Sequence, residues 1–202
     1  MNSNASFFYV SESYCWLQIP KCASSSIRIH LNRHTKKDNI YSKKWVSSPY
    51  LDKYLNLFNF CFVRNPFDKL VSCYYDKILN HEKWSHKKRQ SECIHYMIER
   101  NFSFSQFIKM VCGDFYDLDI HWKSYNQYIP KVFLSNAFVG KVENFKNDFY
   151  HVCKLLDIPY SDIPHTNKTT HSHFSEYYNR ETRNLVIEKH YLDFKTFGYD
   201  FS

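Results

Sequence analysis

The segment Pro20-Lys21-Cys22-Ala23-Ser24-Ser25-Ser26 decides how this 202-residue sequence folds. It follows a short apolar run, Tyr14 to Ile19 (YCWLQI), and leads into SSSIRIHLNRH, where Ile27 and Leu31 stand at helical spacing. The order is strand, tight loop, helix. The first N–H groups of a helix lack internal acceptors and lie at the positive end of its dipole, so such a loop is suited to holding a phosphate. Around Cys22, the small residues Ala23, Ser24, Ser25 and Ser26 let that phosphate approach. The serine hydroxyls add donors, and Lys21 adds a mobile cation. A serine-capped helix start without a ligand would use the same residues. The loop is too short for GxxxxGK[ST], which disfavours an ordinary ATP-binding loop.

A second stretch repeats the plan. Asn59 to Val63 (NFCFV) reads as a buried strand, Arg64-Asn65-Pro66 as a turn, and Phe67 to Leu79 as a helix. An arginine at a strand end can grip a phosphate through two parallel hydrogen bonds, and Ser72, two turns into the helix, can supply another donor. Taken alone, Arg64 could equally pair with a carboxylate and Ser72 be an ordinary helix residue.

Further along, Ser103 to Val111 reads as a serine-capped helix, Ala137 to Val142 as a strand, Asn144 to Leu156 as a helix and Ser175 to Tyr191 as the last helix. Lys36 to Tyr54 is polar and irregular, with the composition of a loop carrying a short helix. Strands alternating with helices imply an α/β fold, a parallel sheet covered on both faces with ligands at the carboxyl ends of its strands. There is no repeat, low-complexity tract or Pro/Gly-rich linker, so residues 1–202 are expected to form one domain.

Composition narrows the partners. With 17 Tyr and 18 Phe against only 3 Gly, aromatic rings must supply much of the packing, and a phosphate loop must manage without a glycine run. The net charge of +7 favours anionic partners, although charge alone does not choose among nucleotide, polysaccharide, nucleic acid and membrane surface. The basic run His81 to Arg89 reads first as a solvated face. Seven scattered cysteines without a CxxC pair imply free thiols and no zinc site. With no secretory signal and no apolar run of membrane-spanning length, a cytoplasmic protein is expected. A Golgi-luminal setting would apply only to a trimmed catalytic domain.

Taken in order, PKCASSS and VRNPFDKLVSCYYDK (residues 63–77) resemble the paired nucleotide signatures of the carbohydrate sulfotransferases, the family of heparan sulfate 2-O-sulfotransferase and the chondroitin and HNK-1 sulfotransferases. HWKSYNQYI, FVGKVENFKNDF and YLDFKTFGYDF resemble later segments of the same family, so the likeness runs from about residue 14 to the end. Two positions depart from the pattern: Asn65 stands where the family often has Asp, and Lys69 where it has Arg.

The resemblance implies a P-loop-nucleotide-hydrolase-like fold and transfer of a sulfuryl group from 3′-phosphoadenosine 5′-phosphosulfate to an acceptor hydroxyl, on a glycan or a small molecule. The product would be 3′-phosphoadenosine 5′-phosphate, with no metal and no nucleic-acid partner. It places the 5′-phosphosulfate on Lys21, Cys22, Ala23, Ser24, Ser25 and Ser26, and the 3′-phosphate on Arg64 and Ser72. The string His165 to Thr170 resembles a late loop over the 3′-phosphate, with Lys168 and Thr169 as its contacts. Lys21 would also neutralise charge on the leaving phosphate.

An acceptor base is needed besides, and eleven histidines compete. His121, in Asp119-Ile120-His121-Trp122, is the first choice, with Trp122 suited to a sugar cleft; a structural histidine held by Asp119 is the alternative. His34 lies roughly 12 Å or more along its helix from the loop, which weakens it and His30. Two other functions compete with this one. A nucleotide kinase of related fold would need an acidic metal ligand at a strand end, and none is apparent. A noncatalytic module for an anionic polymer leaves two ordered phosphate motifs without a reason.

Overall fold

A computed structural model describes residues 7–34, 41–45, 52–84, 91–161 and 172–201. They form two compact units: residues up to Arg64 together with 126–161, and Asn65–Tyr125 together with 172–201.

The first unit is built on a five-stranded sheet. Its strands are β1 (Phe7–Val10), β2 (Tyr14–Gln18), β3 (Tyr41–Trp45), β4 (Phe58–Val63) and β5 (Ala137–Lys141), in the order β3-β1-β2-β4-β5. β2, β4 and β5 run parallel, as the strand and helix alternation implies. β1 pairs antiparallel with β2 and with β3, so the sheet is mixed. The reason for β1 is local: Ser11 Oγ accepts from the N–H groups of Ser13 and Tyr14, both at 3.2 Å, and closes a tight turn between adjacent strands. β3 replaces part of the loop expected over residues 36–54, while the short helix expected there is a 3-10 turn at Asp52–Tyr54. YSKKW has too little apolar alternation to be read as a strand, yet it lies at the sheet edge, where a strand is paired on one side only.

Strand register sorts the side chains onto two faces. Tyr9, Trp16, Phe60, Phe62, Phe138 and Gly140 share one face, and Phe8 lies on the other. On the first, Phe62 meets Phe145 and Phe149 of α6 (Phe145–Leu155), at ring distances of 5.3 and 6.1 Å. On the second, Phe8 meets Phe133 of α5 (Lys131–Leu134) at 5.3 Å. Helices therefore cover both faces. The aromatic surplus is spent here, where large rings fill the space between layers.

Gly140 is where this packing leaves no space: a Cβ added there would stand 2.4 Å from the ring of Phe62, which is 1% exposed. Gly140→Ala should destabilise the fold by about 1–3 kcal/mol through overpacking. Urea unfolding checks this, and an unchanged midpoint would mean that the ring yields freely.

The second unit is helical. It holds α2 (Pro66–Tyr74), continued by a π-helical turn at Tyr75–Leu79, then α3 (Glu92–Glu99), α4 (Phe104–Val111) and α7 (Arg180–Phe197). Phe67, Leu70, Val71, Phe107, Trp122, Val186 and Phe194 form its core. Ser103 and Gln106 make a reciprocal cap on α4, in agreement with the serine start expected there. α7 starts and ends later than its apolar pattern suggests. Asn179 and Thr182 cap its start, and Gly198, at φ 62°, stops it in the left-handed conformation.

All seven cysteines are free and buried. Among the described residues, no helix is long and apolar enough to cross a membrane.

Candidate active site

The loop from Pro20 to Ala23 takes its shape without glycine. Cys22 N donates to Ile19 O at 3.4 Å across a turn with Pro20 second and Lys21, at φ 65°, third. That is the arrangement of a type II turn, whose third position normally falls to glycine or asparagine. Ala23 is also left-handed, at φ 58°. Each such non-glycine residue costs on the order of 1–3 kcal/mol and persists only where its surroundings impose it. Cys22 between them is 1% exposed and anchors the loop in the core.

Immediately after the turn, Ile27 N donates to Ala23 O at 3.1 Å and opens α1 (Ser24–His34). The N–H groups of Ser24, Ser25 and Ser26 thus precede the first acceptor of their own helix. The first turn of α1 carries no carboxylate, so nothing there opposes an anion. Ser24 and Ser25 are half-buried, while Ser26 is 7% exposed.

Arg64 follows the last residue of β4. Because β2 and β4 are parallel neighbours, paired from Tyr14 with Phe58 to Leu17 with Cys61, their carboxyl ends emerge side by side. Arg64 Nη1 accordingly reaches Lys21 O at 3.4 Å. Two motifs more than forty residues apart meet at one sheet edge.

Within the second unit, Asn65 caps α2 by accepting from Phe67 N at 2.9 Å, with Pro66 in the first turn. Asparagine serves this role as well as aspartate would. Ser72, on α2, is 3% exposed. Lys69, one turn before it, is fully buried and donates to Lys123 O at 2.6 Å.

His121 and Asp119 form a close pair. Asp119 Oδ1 lies 2.5 Å from His121 Nδ1 and also accepts from His121 N at 2.9 Å, while Oδ2 accepts from Ser91 Oγ at 3.3 Å. Burial pushes the Asp119 carboxyl up. The hydrogen bond and charge of His121 outweigh this and leave it below its usual range. An ionised carboxylate can only accept, so the imidazole hydrogen that faces it sits on Nδ1. In the neutral form of a ring held this way, Nε2 is the nitrogen left to accept a proton. The Ser91 contact was not legible in the sequence, because it bridges 28 residues; an Asp two positions before a His is a weak local sign.

Trp122 corrects an expectation. It is fully buried, packs on Phe107 and donates Nε1–H to Phe115 O at 2.8 Å, so it is a core residue and offers no sugar platform. Trp16 is likewise buried. His30 is held in the first unit by Pro159 O at 2.8 Å and Ser161 Oγ at 3.3 Å, at 1% exposure. Burial keeps its pKa below the usual value, and it serves the packing of α1. Lys168 and Thr169 lie outside the described residues.

A parallel sheet whose carboxyl edge carries a tight loop, a helix N-terminus and an arginine has the arrangement that many α/β proteins use to bind nucleotides. Comparison with known proteins specifies the family. The profile of the Sulfotransferase family matches residues 7–200, and the chain belongs to that family. It is 24% identical over 194 residues to carbohydrate sulfotransferase 9 of Homo sapiens, covering 85% of this chain and 43% of that protein. It is 30% identical over 176 residues to carbohydrate sulfotransferase 10 of Gallus gallus, covering 74% of this chain and 49% of that protein. The chain spans about half the length of these curated relatives. No solved structure matches significantly.

Proposed function

We propose that this protein transfers a sulfuryl group from 3′-phosphoadenosine 5′-phosphosulfate to a carbohydrate hydroxyl. The observation that carries the reading is the loop from Pro20 to Ser26, strained at Lys21 and Ala23, opening α1 without a carboxylate and touched by Arg64. Two left-handed non-glycine residues at a helix N-terminus fit a loop shaped for a ligand. The family membership and the names of the two relatives support sulfur chemistry over phosphoryl transfer.

The donor, when bound, supplies an activated sulfuryl group on a phosphate leaving group. The N–H groups at the start of α1 and the hydroxyls of Ser24 and Ser25 would hold its 5′-phosphate. Lys21 would neutralise the charge that gathers on the bridging oxygen as the bond from sulfur to phosphate oxygen breaks. Arg64 and Ser72 are the proposed readers of the 3′-phosphate, and Lys168 and Thr169 its further contacts. His121 Nε2 would take the acceptor proton as the new bond from acceptor oxygen to sulfur forms, and Asp119 would stabilise the resulting imidazolium. A single domain is the corresponding reading of the whole chain, in a cytoplasmic setting or, for a trimmed catalytic domain, in the Golgi lumen; the seven free thiols favour the former.

Calorimetry tests the donor. 3′-phosphoadenosine 5′-phosphate should bind in the presence of EDTA at least tenfold more tightly than ATP, and transfer to a glycan acceptor should survive EDTA. A strict magnesium requirement with a preference for ATP would replace this reading with a kinase.

A further inference from the structure

We propose that Lys69 and Asp193 are positioning residues for His121, clamping the segment that carries it; the inference rests on His121 being the acceptor base. The residues after His121 are pinned at consecutive positions. Trp122 Nε1 is bonded to Phe115 O, and Lys123 O accepts from Lys69 Nζ at 2.6 Å. Ser124 Oγ donates to Asp193 Oδ1 at 2.7 Å, and Tyr125 N donates to Asp193 Oδ2 at 2.9 Å. Lys69 Nζ also lies 4.1 Å from the centre of the Tyr125 ring. His190 Nδ1, at 3.1 Å from Oδ2, is a third partner of Asp193.

These charges are costly ones to bury. Lys69 and Asp193 are both 0% exposed and His190 is 1% exposed. Well-packed apolar side chains of similar size commonly replace such groups without loss of stability. What apolar side chains cannot do is hold a carbonyl oxygen, a hydroxyl and an N–H in three successive residues. Those three groups set the path of the backbone just beyond His121, whose ring is fixed on the other side by Asp119. Lys69 adds a further link, since it stands one turn before Ser72 on α2. The helix proposed to read the donor thus also holds the segment that bears the base. A base must sit within hydrogen-bond reach of its proton, and a displacement of about 1 Å can cost on the order of a hundredfold in rate.

The test compares Lys69→Met, which removes the ammonium and keeps the bulk, with Lys69→Arg, which retains a donor. His121 ring nitrogens are followed by 15N NMR and assigned by their loss in His121→Gln. Wild type should show the Nδ1–H tautomer. Lys69→Met should give mixed tautomers and a turnover number lower by about 10–100-fold, with the dissociation constant for 3′-phosphoadenosine 5′-phosphate changed less than twofold. Lys69→Arg should restore both. A folded Lys69→Met with the wild-type tautomer and turnover overturns the proposal. If Lys69→Met does not fold, Ser124→Ala is measured in the same way, and unchanged His121 signals and turnover there overturn it too. Full turnover in His121→Gln would instead remove the base assignment, while the tautomer comparison still decides whether the clamp holds His121.

Discussion

Replacing Lys21 by alanine should lower the turnover number by about 10²- to 10³-fold, the loss typical when one preorganised stabiliser of developing charge is removed. Donor affinity should fall only a few-fold, because the N–H groups at the start of α1 remain. Lys21 is left-handed at φ 65°, which makes a second substitution more telling than the first. Lys21→Gly relieves a backbone conformation that costs a side-chain-bearing residue about 1–2 kcal/mol, against about 0.4–1 kcal/mol of added freedom in the unfolded chain. It should therefore be neutral to slightly stabilising and still inactive. Stability and activity moving apart at one residue is what strain kept for function looks like. Thermal unfolding and turnover on a sulfatable glycan check the pair. Wild-type turnover in either variant would deny Lys21 a role in the chemistry.

Arg64→Ala should erase most of the preference for 3′-phosphoadenosine 5′-phosphate over AMP. The two ligands differ by the 3′-phosphate, and a charge-assisted, two-pronged contact to it is worth roughly 2–3 kcal/mol, or about 30- to 150-fold in affinity. Ser72→Ala removes a neutral donor worth about 1 kcal/mol and should matter less. The contact from Arg64 Nη1 to Lys21 O is long, at 3.4 Å, and ends on an uncharged acceptor. Its loss should change AMP binding by no more than about threefold. Titration calorimetry of both ligands against both variants separates the contributions. Equal weakening of the two ligands in a folded Arg64→Ala would make Arg64 a brace for the loop.

The elements legible in the sequence were those whose signals are local. YCWLQI, NFCFV and AFVGKV announced β2, β4 and β5 because buried parallel strands are continuous apolar runs, and the start of α4 was readable because Ser103 and Gln106 lie one turn apart. The order of PKCASSS between strand and helix placed a tight loop at a helix N-terminus from the sequence alone. β1 escaped notice because its FFYV has no recognisable turn after it, only SES, whose serine hydroxyl closes the hairpin. β3 escaped because an edge strand needs no apolar pattern to be paired.

Three features depended on the tertiary structure. The left-handed conformations of Lys21 and Ala23 are imposed by surroundings that anchor Cys22 in the core, since neither residue adopts them by preference. Trp122 is a core residue, and Asp119 a partner of Ser91 as well as of His121, because of where α4 and residues 91–121 pack; the sequence offered Trp122 to a sugar cleft and Asp119 only as the holder of His121. Lys69 read only as a departure from a family pattern and proved to be a fully buried side chain donating to a carbonyl 54 residues away. A sequence displays which residues can donate, accept or carry charge. Which of them are taken out of water, and opposite what, is decided by contacts between distant segments, because the cost of burying a polar group is met only where a partner from elsewhere in the chain arrives.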